Sequence, residues 1–103
     1  MNQVTTNGST PLWIASNIGH VDLIKLIIEA GGDVNQAINQ ADANGTTPLG
    51  AASRDGHTEI VRLLLQQPNI DVNKGAERWS PLALANYGNH ADIIQLLTNA
   101  GAK

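Results

Sequence analysis

Residues 7–28 align with residues 44–65 at an offset of 37, and ten of the 22 pairs are identical. Seven more are chemically similar, among them Asp22/Glu59, Ile24/Val61 and Lys25/Arg62. A third copy follows at an offset of 33, with Ser80-Pro81-Leu82 where the second has Thr47-Pro48-Leu49. In every copy a histidine (His20, His57, His90) stands nine residues after the proline. Such a chain is expected to fold as stacked copies of one small unit. One copy cannot bury its own apolar face, and about three stacked copies can.

Each copy reads as two short helices. Thr10, Thr47 and Ser80 are N-cap residues, and the following proline occupies the first helical position, where its missing N–H costs nothing. Gly19 and Gly56 are suited to stop the first helix, and Asn89 fills that place in the third copy. A second helix follows, with apolar faces at Leu23, Ile24, Ile27 and Ile28, at Ile60, Val61, Leu64 and Leu65, and at Ile93, Ile94 and Leu97. That spacing is a helical stripe. Beyond it, Asp33-Val34-Asn35 and Asp71-Val72-Asn73 read as short extended pieces leading to the next turn.

Thr-Pro-Leu, then Ala, Gly-His, Leu-Leu-Leu and Asp-Val-Asn, at a period near 33 over almost the whole chain, resembles the ankyrin repeat. The resemblance implies an all-α solenoid of three stacked helix pairs with short β-hairpin fingers between repeats. It implies one domain over 1–103, with repeats near 5–41, 42–74 and 75–103. Three departures stand out. The family's histidine after Thr-Pro-Leu is replaced by Trp13, Gly50 and Ala83, so part of its bracing between repeats is expected to be missing. Arg78 stands where the finger turn normally has glycine, which predicts a less regular third finger. The first repeat is four residues too long, because Val34-Asn35-Gln36-Ala37 is followed by the near-copy Ile38-Asn39-Gln40-Ala41.

Composition narrows the chemistry. Apolar residues are 42% of the chain, too many for disorder, yet only Trp13, Trp79 and Tyr87 are aromatic. Leu, Ile, Val and Ala must therefore fill the core. A net charge of −3 argues against a nucleic-acid partner, which calls for a basic stripe. The absence of cysteine excludes disulfides, thiolate metal sites and a Cys nucleophile. No apolar run approaches a membrane span, and no secretory signal is read at Met1 to Thr6, so a cytoplasmic protein is expected. The three histidines recur one per repeat, roughly 10 Å apart when helices stack, whereas zinc gathers its ligands about 2 Å from one point. They are read as structural. No metal, cofactor or catalytic group is assigned.

The resemblance then implies a protein-binding module. The family's contact positions fall on Thr6, Asn7, Ser9, Asn17 and Ile18 in the first repeat. The second contributes Ala43, Asn44, Thr46, Arg54 and Asp55, and the third Ala76, Glu77, Trp79 and Tyr87. Trp79 and Tyr87 are the natural anchors, since aromatic side chains and Arg dominate binding hot spots. The bland alternative for Trp79 is that it covers the edge of the last repeat. Leu65, Asp71, Val72 and Asn73 loosely resemble an asparagine-hydroxylation site of the family, but Asn73 reads better as a hydrogen-bonding turn residue.

A competing reading is an engineered, structural or excised array without an evolved partner. The last repeat carries polar Asn86, Gln95, Thr98 and Asn99 on its outer side. The first keeps Leu23, Ile24, Ile27 and Ile28 and shows no comparable change. A monomer is expected, with a weak dimer through this N-terminal face as the alternative.

Overall fold

The computed structural model describes residues 11–30, 41, 44–67, 70–75 and 79–103. Six helices lie among them: α1 Pro11–Ile18, α2 Val21–Ala30, α3 Pro48–Asp55, α4 Thr58–Leu65, α5 Pro81–Tyr87 and α6 Ala91–Asn99. Connectors of two or three residues turn α1 into α2, α3 into α4 and α5 into α6. The first helices pack in series, α1 on α3 on α5, and the second helices form a parallel row, α2 on α4 on α6. Among the described residues there is no strand, only an isolated bridge residue at Trp79. Much of the fingers expected between repeats (residues 31–40, 42–43, 68–69 and 76–78), with the duplicated block at 34–41 up to Gln40, the N-cap at Thr10 and the Arg78 turn, lies outside the described residues.

Local chemistry sets the helix ends. The Thr47 hydroxyl accepts the Gly50 N–H at 3.2 Å, the Ser80 hydroxyl accepts the Ala83 N–H at 3.2 Å, and Pro48 and Pro81 follow at the first helical position. Each cap satisfies an orphan amide of the first turn, worth about 1 kcal/mol. Gly19 and Gly56 take positive φ, +82° and +79°, and Asn89 takes +59° at the same place in the third pair. The expected stops are therefore where the sequence put them.

The two rows differ in the size of their buried residues. Ala15, Ser16, Ala51, Ala52, Ser53 and Ala85 are all fully buried in the first-helix row. Small side chains let these helices approach closely, and this row makes the denser contacts. The buried serines do not leave polar groups stranded: Ser16 donates to the Leu12 carbonyl at 2.8 Å and Ser53 to the Leu49 carbonyl at 2.7 Å. The second-helix row buries large aliphatics instead: Ile24, Ile60, Val61, Leu64, Ile93 and Leu97, with Leu12 and Leu49 from the first row completing the core.

Three expectations need correction. Asp71-Val72-Asn73 is not extended. Its Asp71 carboxylate accepts the Asn73 N–H at 3.1 Å and its Asp71 carbonyl the Lys74 N–H at 3.4 Å, which closes a turn. The Asn73 side-chain oxygen then accepts the Lys103 N–H at 2.9 Å, tying the end of the third repeat to the second. The outward face of the first repeat is also composed differently. Ile24 is fully buried, and Ile27 and Ile28 pack partly against the core, whereas Ile14, Ile18, Leu23 and Leu26 are exposed. Positions equivalent to Ile14 and Leu23 are buried in the second repeat, as Ala51 and Ile60, because a preceding helix pair covers them there.

The third correction is partial and concerns bracing, which was expected to be missing in part and is present at Trp13. The Trp13 indole N–H donates to the Thr46 carbonyl at 2.7 Å, a buried bond across 33 residues. The first repeat is therefore braced to the second by the residue that replaced the family's histidine. Tryptophan is long enough to reach and carries one N–H donor. Gly50 and Ala83 have no side-chain donor to do the same.

Candidate functional site

His57 and His90 sit between repeats. His57 Nε2 lies 3.1 Å from the Asn17 carbonyl oxygen, and His90 Nε2 lies 3.0 Å from the Arg54 carbonyl oxygen. Carbonyls only accept, so Nε2 carries the proton in both. Each ring thereby satisfies a carbonyl near the end of the preceding first helix, where intrahelical donors have run out. His20 bonds locally instead: its Nδ1 accepts the Leu23 N–H at 3.4 Å. Among the described residues no group of three His, Asp or Glu side chains is arranged to hold a metal ion. No helix among them is long and apolar enough to cross a membrane.

The repeat places Asn17, Arg54 and Tyr87 at one position of three successive first helices. Arg54 Nη2 donates to Asn17 Oδ1 at 2.6 Å, and Arg54 also pairs with Asp55, Nε to Oδ1 at 3.1 Å and Nη2 to Oδ2 at 3.2 Å. Both members of the pair are more than a third exposed, so the pair orients the guanidinium more than it stabilises the fold. One step further along, Tyr87 meets Trp79 edge to face, with ring centroids 5.5 Å apart and planes at 86°. Tyr87 is 75% exposed and Trp79 44% exposed. Trp79 is thus partly covered and partly open to solvent, which fits both an anchor and a cover for the edge of the last repeat.

Between the second and third repeats these side chains bound a cleft of about 320 Å³, lined among the described residues by Asn44, Thr46, Arg54, Trp79, Leu84 and Tyr87. Five of the six are sequence-predicted contact positions. Thr46 contributes little side-chain surface, being 8% exposed, and its carbonyl is engaged by Trp13. Asn17 and Asp55 stand behind Arg54 rather than in the cleft, and Ile18 is exposed on the first repeat beyond it. Thr6, Asn7, Ser9, Ala43, Ala76 and Glu77 lie outside the described residues. Leu84, the apolar floor, was missed. It occupies the place of Ala51 and Ile14, where side-chain size varies from repeat to repeat, and only its proximity to the two rings reveals it.

A row of close-packed helix pairs, braced from pair to pair, defines a helical repeat protein. The family model for ankyrin repeats (3 copies) matches residues 1–75 and again residues 35–103. The chain belongs to the ankyrin repeat family. An ankyrin repeat-containing protein of Schizosaccharomyces pombe is 47% identical over 34 residues, an alignment that covers 33% of this chain and 16% of that protein. Ankyrin repeats are generally protein–protein interaction modules and typically non-catalytic.

Proposed function

We propose that this chain is one three-repeat domain, cytoplasmic and without catalytic activity of its own, that binds a partner protein through its first-helix surface and the cleft between repeats two and three. The observation that carries the proposal is the exposed Trp79–Tyr87 pair, which lines that cleft together with Arg54. Two aromatic rings left in water at one spot lose nothing by being covered, and desolvating them on a partner contributes about 1–4 kcal/mol each. The test is quantitative partner capture with the intact chain against Trp79→Ala/Tyr87→Ala. The expected result is a protein recovered by the intact chain and lost from the variant, with both melting at similar temperatures. An identical set of captured proteins would refute the site.

A second reading is favoured by a separate observation. Ile14, Ile18, Leu23 and Leu26 give the first repeat an exposed apolar side, a composition that supports self-association rather than capture of a polar surface. Under that reading sedimentation coefficients rise with concentration, and Trp79 and Tyr87 are irrelevant to the rise.

A further inference from the structure

We infer that Asn89 and Asn86 close the far side of the third helix pair to the first pair of a second copy, so that copies of this chain do not join head to tail. The inference deepens the self-association reading and rests on the exposed apolar side of the first repeat. Neighbouring pairs meet through one repeated contact, and the chain carries much of both halves of it. Ile14 and Leu23, 40% and 38% exposed, stand where Ala51 and Ile60 are fully buried by a preceding pair. His20 stands where His57 and His90 stand. Its Nδ1 accepts the Leu23 N–H, so its Nε2 carries the proton that the other two rings donate to a carbonyl. The matching carbonyl on a second copy is that of Tyr87, in the place of Asn17 and Arg54. Such a contact does not close on itself, and repeated it builds a filament.

Two residues of the third pair stand in its way. The docking histidine lies so near the glycine of the preceding pair that no side chain fits between them. A Cβ built on Gly19 would lie 2.7 Å from His57 Cε1, and one built on Gly56 would lie 2.7 Å from His90 Cε1. Asn89 occupies that position. It keeps the left-handed turn, at φ +59°, while filling the space with a Cβ and an amide. An incoming His20 ring must swing aside and forfeit its bond to the carbonyl. Asn86 adds to the obstruction. Ser16 and Ser53 are fully buried at the same position, whereas Asn86 is exposed, so the following pair is what covers this place. A small side chain lets the first helices close up there, and asparagine is too large for the same approach. Two copies can still meet through their first-repeat sides, a two-fold contact that stops at the dimer.

Sedimentation velocity of the unaltered chain and of Asn86→Ser/Asn89→Gly, over the same wide range of concentration, tests this. The unaltered chain should not exceed the mass of a dimer, whereas the variant should keep growing without a plateau. Asn89→Gly alone should show the onset of that growth. Both changes suit the fold, glycine at positive φ and serine as in the other repeats, and circular dichroism should show unchanged helicity. Adding His20→Ala should weaken the variant's association about fivefold through the lost bond, and adding Ile14→Glu/Leu26→Glu should abolish it. A variant that sediments like the unaltered chain at every concentration would overturn the inference. Growth that survives Ile14→Glu/Leu26→Glu, or an unaltered chain that itself passes the dimer, would overturn it too. An unaltered chain that stays monomeric while the variant grows would remove the self-association reading and uphold this inference.

Discussion

Replacing Gly56 by alanine tests the way the repeats are braced. Gly56 has φ +79°, and a Cβ built there would lie 2.7 Å from His90 Cε1 and 3.0 Å from Nδ1. The left-handed backbone alone costs an alanine about 1–2 kcal/mol. The His90 ring must also move, and its 3.0 Å bond to the Arg54 carbonyl cannot survive a shift of several tenths of an ångström. Losing a partly buried bond of this kind adds about 1 kcal/mol, so Gly56→Ala should cost about 2–3 kcal/mol in all. His90→Ala loses the same bond and should cost about 1–2 kcal/mol. In the double variant the bond can be lost only once and there is no ring to displace. Its cost should fall short of the sum by about 1 kcal/mol, which urea unfolding followed by circular dichroism resolves. Additivity within about 0.5 kcal/mol would show that the two positions do not meet and would refute the brace. Gly19 faces His57 in the same way, at 2.7 Å from Cε1, and should repeat the result. Asn89 holds the equivalent position, and no later repeat in this chain supplies a histidine against it. Asn89→Gly should change stability by no more than about 0.5 kcal/mol.

Trp13→Phe keeps the buried ring but removes the N–H bonded to Thr46, and should lower stability by about 1–3 kcal/mol in the same assay, since the Thr46 carbonyl is left buried. Thr47→Ala and Ser80→Ala each remove an N-cap bond and should cost about 1 kcal/mol; no loss would mean that water replaces the hydroxyl without penalty. If the first repeat's apolar side drives self-association, Ile14→Glu and Leu26→Glu should abolish any concentration dependence in sedimentation while leaving the far-ultraviolet spectrum unchanged. Deleting Ala37 to Gln40 should preserve helicity and leave the melting temperature the same or slightly higher, because Pro48 and its Thr47 cap restart the second repeat independently. A large loss of stability would make the duplicated block part of the core.

Wherever the repeat constrained a residue through its own backbone, the sequence was readable. Thr47-Pro48 and Ser80-Pro81 announced helix starts, and Gly19, Gly56 and Asn89 announced stops, because these effects act within a turn. The buried stripes at Ile60, Val61, Leu64, Ile93 and Leu97 followed from period alone. Contacts between repeats were harder. Trp13 looked like the loss of a brace, since sequence position says which residue is absent but not how far its replacement reaches. Leu26 was passed over because a helical stripe gives a face and not its neighbours; which edge of the stripe is covered depends on the adjoining pair. In the candidate site, Trp79, Tyr87 and Arg54 came from family position and residue type, whereas the cleft they share depended on the rotamers that bring the rings to 5.5 Å.

Arg54 links the bracing between repeats to the cleft. Its carbonyl oxygen receives His90 from the third repeat, its side chain reaches Asn17 in the first, and its guanidinium lines the cleft between the second and third. The second repeat therefore holds both neighbours through one residue that also meets whatever enters the cleft. A three-repeat array has only two interfaces between repeats, so any slackness in one is a large share of the whole. A ligand gripping Arg54 and Trp79 together spans one of those interfaces directly, and through the Asn17 bond it bears on the other. Binding should then stabilise the whole array by mass action, by about 2.7 kcal/mol at a hundredfold excess over Kd. The extra protection should reach the Asn17 end of α1 as well as α5. Hydrogen exchange confined to α5 and its neighbours, with α1 unchanged on binding, would show that Arg54 serves the cleft without transmitting its occupancy to the first repeat.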